Sequence, residues 1–144
     1  GDDVVVVLGD NIIEKNIRRA IAKFRDQKKG AKILLKEVPD PERFGVATLA
    51  GDKVVRIVEK PQNPQSNKAV IGIYMYDGRV WEIIKTLKPS DRGELEITDV
   101  NNWYIQDGSM TYEVLDGWWT DAGTFKSLHS ASTLVAQGGA NKLD

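Results

Sequence analysis

The stretch Val4-Val5-Val6-Val7-Leu8-Gly9-Asp10-Asn11 decides the fold class. Five apolar residues in succession, four of them β-branched, read as a strand buried on both faces, as in a parallel sheet. Gly9 breaks the run, and Asp10 and Asn11 fall where the strand should give way to a helix. Ligands of open α/β sheets collect at the carboxyl ends of strands. A carboxylate there suits a metal or a substrate, yet Asp and Asn are also favoured helix N-caps. The stretch alone leaves both roles open.

Working outward, Ile13, Ile17, Ala20, Ile21 and Phe24 recur at helical spacing, with Lys15, Arg18, Arg19 and Lys23 opposite. This predicts a helix over 12–28, closed near Gly30. Ala31–Val38 follows as a second strand, so the first 38 residues predict a β-α-β unit with a parallel strand pair. Phe44–Leu49 and Val54–Val58 flank Gly51-Asp52-Lys53, a hairpin signal. Pro61 ends the second of these strands, and residues 61–68 are a polar loop. Ala69–Tyr76 is a largely apolar strand with Gly72 inside it, which marks close approach of a ligand or another backbone. A short helix carries Val80, Trp81, Ile84 and Leu87, and another begins near Thr98 and ends at Gly108. Met110–Leu115 reads as a strand. Thr124 caps a last helix with Phe125, Leu128 and Val135 on one face. Residues 1–136 are expected to form the folded portion of a domain and 137–144 a flexible tail.

The bulk numbers narrow the function. The 144 residues suffice for one domain with a core, and 41% apolar with 28% charged is ordinary for a globular chain. A formal charge of −1 gives no field to recruit nucleic acid or an anionic membrane. With no cysteine there is no disulfide and no thiolate metal site. No apolar run approaches the roughly 18 residues of a membrane span, and no signal peptide is visible. A cytoplasmic protein is the default. The strand at the very start of the chain needs cover on both faces, so a preceding segment is expected.

Few residues can carry chemistry. His129 is the one histidine and has no partner at a telling spacing, so it reads as a surface residue. Neither a Walker-type loop nor G-x-G-x-x-G is present. Asp10 and Asp121 stand out: Asp121 lies between Trp118-Trp119 and the start of the last helix. It could cap that helix, or the two carboxylates could hold one Mg²⁺ and leave its other positions to phosphate oxygens and water. In the second case they should lie about 4–6 Å apart. Glu59-Lys60 joins an acceptor for sugar hydroxyls to a cation for phosphate, or is an ordinary charged strand end.

The ordered blocks LGDN, RFGVA, VEKP, SNKAVIGIYMYD, RGELEITDVNNWY and GWWTDAGT resemble the sugar-1-phosphate nucleotidyltransferases over nearly the whole chain. The last two blocks tilt the likeness toward members that transfer thymidylyl groups to glucose 1-phosphate, with uridylyl-, adenylyl- and guanylyltransferases as relatives. The resemblance implies a mainly parallel, mixed Rossmann-like α/β sheet with flanking helices. It also implies a reaction of dTTP with a hexose 1-phosphate that makes a nucleotide sugar and releases pyrophosphate. By the same resemblance, Asp10 and Asp121 hold Mg²⁺, and Glu59 accepts from hexose hydroxyls. Lys60 and Arg92 face the sugar phosphate, and Gly45, Val70, Tyr74 and Trp119 line the sugar pocket. The resemblance makes Asp10, Lys60 and Asp121 the expected catalytic set.

The family's glycine-rich G-G-x-G-T-R-L triphosphate loop is not in the sequence. The resemblance therefore implies the carboxy-terminal, sugar-phosphate portion of such an enzyme, inactive alone, with roughly 100 residues upstream. The other reading is a non-catalytic sugar-phosphate-binding or oligomerisation module. A homo-oligomer is expected on either reading, because an uncovered apolar strand favours self-association. A pure assembly module has no need of Asp10, Glu59, Lys60 and Asp121.

Overall fold

A computed structural model describes residues 1–143. Its main sheet is built on β6 (Lys68–Tyr76), the longest strand among the described residues. One edge of β6 pairs antiparallel with β3 (Ala31–Glu37) along its whole length. The other edge is shared: β4 (Gly45–Ala50) pairs with Ala69 and Val70, and β1 (Val4–Val7) pairs with Ile73–Tyr76. Gly72 falls in the gap between those two ladders. β5 (Lys53–Glu59) extends the sheet beyond β4, and β7 (Met110–Val114) extends it beyond β3.

The α/β class and the mixed sheet agree with the sequence. The expected mainly parallel pairing is corrected: among the described residues β3–β7 is the parallel ladder of this sheet, and the other ladders are antiparallel. β1 and β3 run in the same direction without pairing, because each lies antiparallel against β6. The expected β-α-β unit is therefore split by a later strand.

The strands buried on both faces are β3 and β6. Ile33, Leu35, Tyr74 and Tyr76 pack on one side with Val100 and Tyr104. Leu34, Ile71, Ile73 and Met75 pack on the other with Ala20, Phe24 and Leu115. Strand alternation sends successive side chains to these two cores. β1 corrects the opening expectation: it is a strand, but Val5 and Val7 are exposed, Val7 by 53%. An apolar run does not reveal how many neighbours a strand has, and within the described residues β1 has one, β6.

Helix α1 (Arg18–Gln27) starts later than position 12. Asn11–Ile13 is instead a short strand, β2, paired antiparallel with β8 (Trp119–Asp121). Ile13 and Ile17 continue the helical spacing and pack against the α1 core whatever their backbone does, so periodicity alone misplaced the boundary. The helix closes as expected: Lys28 is left-handed and Gly30 has φ +100°.

Helices α2 (Val80–Thr86) and α3 (Ile97–Gln106) cover the opposite face. Glu96, not Thr98, precedes α3. Helix α4 (Phe125–Gly138) opens on a capping box in which Thr124 and Ser127 exchange hydrogen bonds. It buries Ser127 and Ala131, while Phe125, Leu128 and Val135 face outward, Phe125 being 95% exposed. The chain beyond 136 makes contacts with the segment before α1. Asn141 N and Lys142 N donate to the carbonyls of Ile13 and Glu14, and Lys142 Nζ lies 3.2 Å from Glu14 Oε1. No helix among the described residues is long and apolar enough to cross a membrane.

Candidate functional site

The gap between the β1 and β4 ladders on β6 opens a cleft of about 440 Å³, with Gly72 in its lining. Its lining includes Asp10, Gly45, Glu59, Lys60, Val70, Tyr74, Trp119 and Asp121, all singled out from the sequence. Arg92 departs from this set. It lies in an adjoining groove, 62% exposed, with its guanidinium on Glu96 Oε1 at 2.7 Å. The RGELE segment places a glutamate four residues after Arg92 at the entrance to α3, and that local ion pair takes the guanidinium.

The two aspartates meet because β2 and β8 pair. Asn11 is the register partner of Asp121, and Ala122 N donates to Asp10 O at 2.6 Å. Asp10 Oδ2 and Asp121 Oδ2 both lie within 3.6 Å of the position a Cβ on Gly123 would occupy. The carboxylates thus converge over a residue with no side chain. Asp121 Oδ2 also accepts from Ser127 Oγ at 3.0 Å, and Asp10 Oδ1 accepts from Asn11 Nδ2 at 2.9 Å. Asp121 is therefore fixed by the first turn of α4 without being its N-cap. Among the described residues, no three His, Cys, Asp or Glu side chains cluster as a complete metal cage. Two carboxylates fit a hard cation such as Mg²⁺, which keeps several waters and takes substrate phosphates.

The far side of the cleft is built by the β4–β5 ladder. Gly45 is the register partner of Glu59, and a Cβ on Gly45 would stand 3.1 Å from Glu59 Oε2. Thr98 Oγ1, in the first turn of α3, donates to that same oxygen at 3.1 Å. Lys60 follows with φ +41°, a left-handed backbone uncommon outside glycine, and Lys60 N donates to Phe44 O. Such strain collects at functional sites. Tyr74 forms the floor. Burial, reinforced by the charges of Glu59 and Asp10, pushes its phenol up to about 12, so it is a hydroxyl at neutral pH. Its ring begins a stack through Tyr76 to Tyr104, with centroids 6.1 and 5.6 Å apart.

Sequence reasoning missed Arg43 and Phe44. Arg43 Nη2 lies 3.8 Å from Asp121 Oδ1, its Nη1 binds Asp40, and its guanidinium covers the Phe44 ring. Phe44 meets the Trp119 ring edge-on at 5.2 Å. Both lie in the quoted RFGVA block, but only the fold brings them to β8. Gly72 is a close approach of side chains, where a ligand or another backbone was expected: a Cβ there would come within 2.5 Å of Asn11 Nδ2.

The pattern of the Nucleotidyl transferase family matches residues 1–138. The chain belongs to that family. A glucose-1-phosphate thymidylyltransferase of Neisseria meningitidis is 45% identical over 138 residues, covering 93% of this chain and 48% of the relative. One of Xanthomonas campestris is 46% identical over 143 residues, with 94% and 47% covered. Among solved structures, a Bacillus anthracis protein carrying the name glucose-1-phosphate thymidylyltransferase, in complex with a sucrose, is 56% identical. It has a TM-score of 0.87 over 92% of this chain and 54% of that one. The chain spans about half the length of the curated relatives it matches. A UDP-glucose pyrophosphorylase shares the fold at 23% identity, with a TM-score of 0.81.

Proposed function

We propose that this chain carries the sugar-phosphate and metal portion of a glucose-1-phosphate thymidylyltransferase. The observation that carries the reading is the opposition, across one cleft, of the paired Asp10 and Asp121 carboxylates to Glu59-Lys60. The names of the relatives support glucose 1-phosphate and dTTP as the substrates. Asp10 and Asp121 would hold Mg²⁺, which when bound neutralises phosphate charge. Glu59, kept in place by Thr98 and the bare face of Gly45, accepts from hexose hydroxyls. The Lys60 ammonium balances the sugar phosphate, and Tyr74 offers a hydroxyl that stays protonated. In the reaction, a phosphate oxygen of the sugar 1-phosphate forms a bond to the α-phosphorus of dTTP. The bond from that phosphorus to the bridging oxygen breaks, and pyrophosphate leaves with its electron pair. The residues' contribution is positioning and charge balance. Production of a nucleotide sugar agrees with a cytoplasmic setting and a cysteine-free sequence.

Calorimetric titration tests this reading. Glucose 1-phosphate with Mg²⁺ should bind the 144-residue chain weakly, with a Kd of about 1 mM or roughly −4 kcal/mol. Asp10→Asn and Asp121→Asn should each remove the Mg²⁺ dependence. The 144 residues hold no glycine-rich triphosphate loop, so dTTP-dependent pyrophosphate release should be undetectable. Absence of any heat from glucose 1-phosphate would sink the binding assignment, and brisk pyrophosphate release would sink the inactivity.

A reading as an assembly module is favoured by one observation, the exposed Val5 and Val7 on β1 with exposed Leu8 directly after it. Light scattering at high concentration should show dimers or larger species, and Val7→Lys should shift them toward monomer. A single monomeric peak for the unmodified chain would remove self-association from the proposal.

A further inference from the structure

The Asn11 side chain sits where three parts of the cleft meet. Its Oδ1 accepts from Gly72 N at 2.9 Å and from Trp119 Nε1 at 2.8 Å. Its Nδ2 donates to Asp10 Oδ1 at 2.9 Å. The amide orientation follows from its partners: two N–H groups demand the oxygen on one side, and a carboxylate demands the nitrogen on the other. A helix cap would use none of these bonds, and β2 is a strand. The close fit is enforced by Gly72, whose missing side chain leaves room for the amide.

We infer that Asn11 is a positioning residue, coupling the orientation of the Asp10 carboxylate to that of the Trp119 indole. The inference rests on the reading of Asp10 as a cation ligand. One amide fixes both groups, so a cation that reorients Asp10 pulls on Nδ2, and the pull reaches Trp119 through Oδ1. The sugar-pocket wall is thereby set by the occupancy of the cation site. Partners one bond removed from a metal tune its affinity by about 10–100-fold, and an amide hydrogen-bonded to a ligating carboxylate is such a partner. Asn11 itself need touch neither substrate nor cation.

The test uses Mn²⁺ as the probe cation, with two readouts on the 144-residue chain. Electron paramagnetic resonance measures Mn²⁺ affinity. The indole N–H resonance of Trp119, assigned by its loss in Trp119→Phe, reports the bond to Asn11 and is followed with and without Mg²⁺. Asn11→Ala should weaken Mn²⁺ binding about tenfold, displace the Trp119 resonance and abolish its response to Mg²⁺. Asn11→Asp keeps an acceptor oxygen for Trp119 and Gly72, so the Trp119 resonance should stay near its wild-type position. Gly72→Ala should reproduce Asn11→Ala while leaving residue 11 unchanged, and it serves if Asn11→Ala does not fold. An unmoved Trp119 resonance in folded Asn11→Ala or Gly72→Ala overturns the inference, as does Mn²⁺ affinity within twofold of wild type. If the wild-type chain takes up no Mn²⁺, the cation reading fails and with it the coupling, while the indole arm still decides whether Asn11 fixes Trp119.

Discussion

Replacing Asp77 with alanine is expected to cost about 3 kcal/mol or more of folding stability. Asp77 is 7% exposed at the end of β6 and gathers donors from four directions. Gly30 N donates at 2.6 Å, Tyr104 Oη at 2.8 Å, and Arg79 through both its backbone N and its Nε. Arg79 extends the network to Asp107 and Ser109 while its guanidinium covers Trp103 and Tyr104. The β3 entrance, the β6 exit and the start of α2 are thus tied to the end of α3 through one carboxylate. Alanine would leave the buried Gly30 N–H and Tyr104 O–H without acceptors, at about 1–3 kcal/mol each. Urea unfolding measures the loss, and a midpoint within experimental error of wild type would refute it.

The same carboxylate gives the stability a pH dependence of definite sign. Burial pushes Asp77 up, but the donors from Gly30, Tyr104 and Arg79 outweigh burial and hold it below the ordinary carboxylate range. A carboxyl depressed in the folded state contributes stability above its unfolded pKa of about 3.9, and that stability drains away as pH falls through the folded value. Asp77→Asn should therefore flatten part of the acid limb of the stability curve, from about pH 5 downward. Glu37 and Glu96 are lowered too, by bonds to Lys68 and to Arg92 with Ser90, so the comparison is wild type against variant and not the limb alone.

None of this was legible in the chain, although Asp77 closes one of the quoted blocks. An aspartate after a strand carries no mark of the tyrosine and glycine that converge on it from positions 104 and 30. Strand existence was legible, since β3, β4, β5, β6 and β7 all fall within a residue or two of their expected bounds. Their partners were not. A run such as AKILLKEV announces burial on both faces, but strand direction depends on connections that come later in the chain. VVVVL carries the same announcement and lies beside one neighbour among the described residues. The short β2–β8 pair was beyond reach for a different reason. Three residues show neither period, and Ile13 satisfied a helical one. Yet that pair is what brings Asp10 to Asp121. Those two, with Glu59, Lys60, Val70 and Tyr74, came from ordered motifs whose residue types suit the chemistry, and the fold collects them in one cleft. Arg92 lies outside that cleft, because Glu96, four residues on at the entrance to α3, holds its guanidinium.

Glu59→Ala is expected to weaken glucose 1-phosphate binding by about tenfold or more and to leave inorganic phosphate binding unchanged. On the proposed reading Glu59 stands at the sugar end of the cleft, and its Oε2 lies against Gly45 and Thr98 Oγ1. A hydrogen bond to a charged acceptor is worth about 1.5–3 kcal/mol, and 1.4 kcal/mol is a factor of ten. Lys60→Met should instead lower affinity for both ligands, because on the proposed reading its charge acts on the phosphate they share. Gly45→Ala offers an independent check without touching a polar group. Its methyl would sit 3.1 Å from Glu59 Oε2, closer than carbon and oxygen ordinarily pack, so the carboxylate must move and the sugar-dependent part of the affinity should fall. Saturation-transfer NMR on the ring protons of glucose 1-phosphate, run beside phosphorus NMR of inorganic phosphate, separates the two contributions. If Glu59→Ala lost both ligands equally while its unfolding midpoint stayed at the wild-type value, the hexose end of the cleft would have been assigned to the wrong residue.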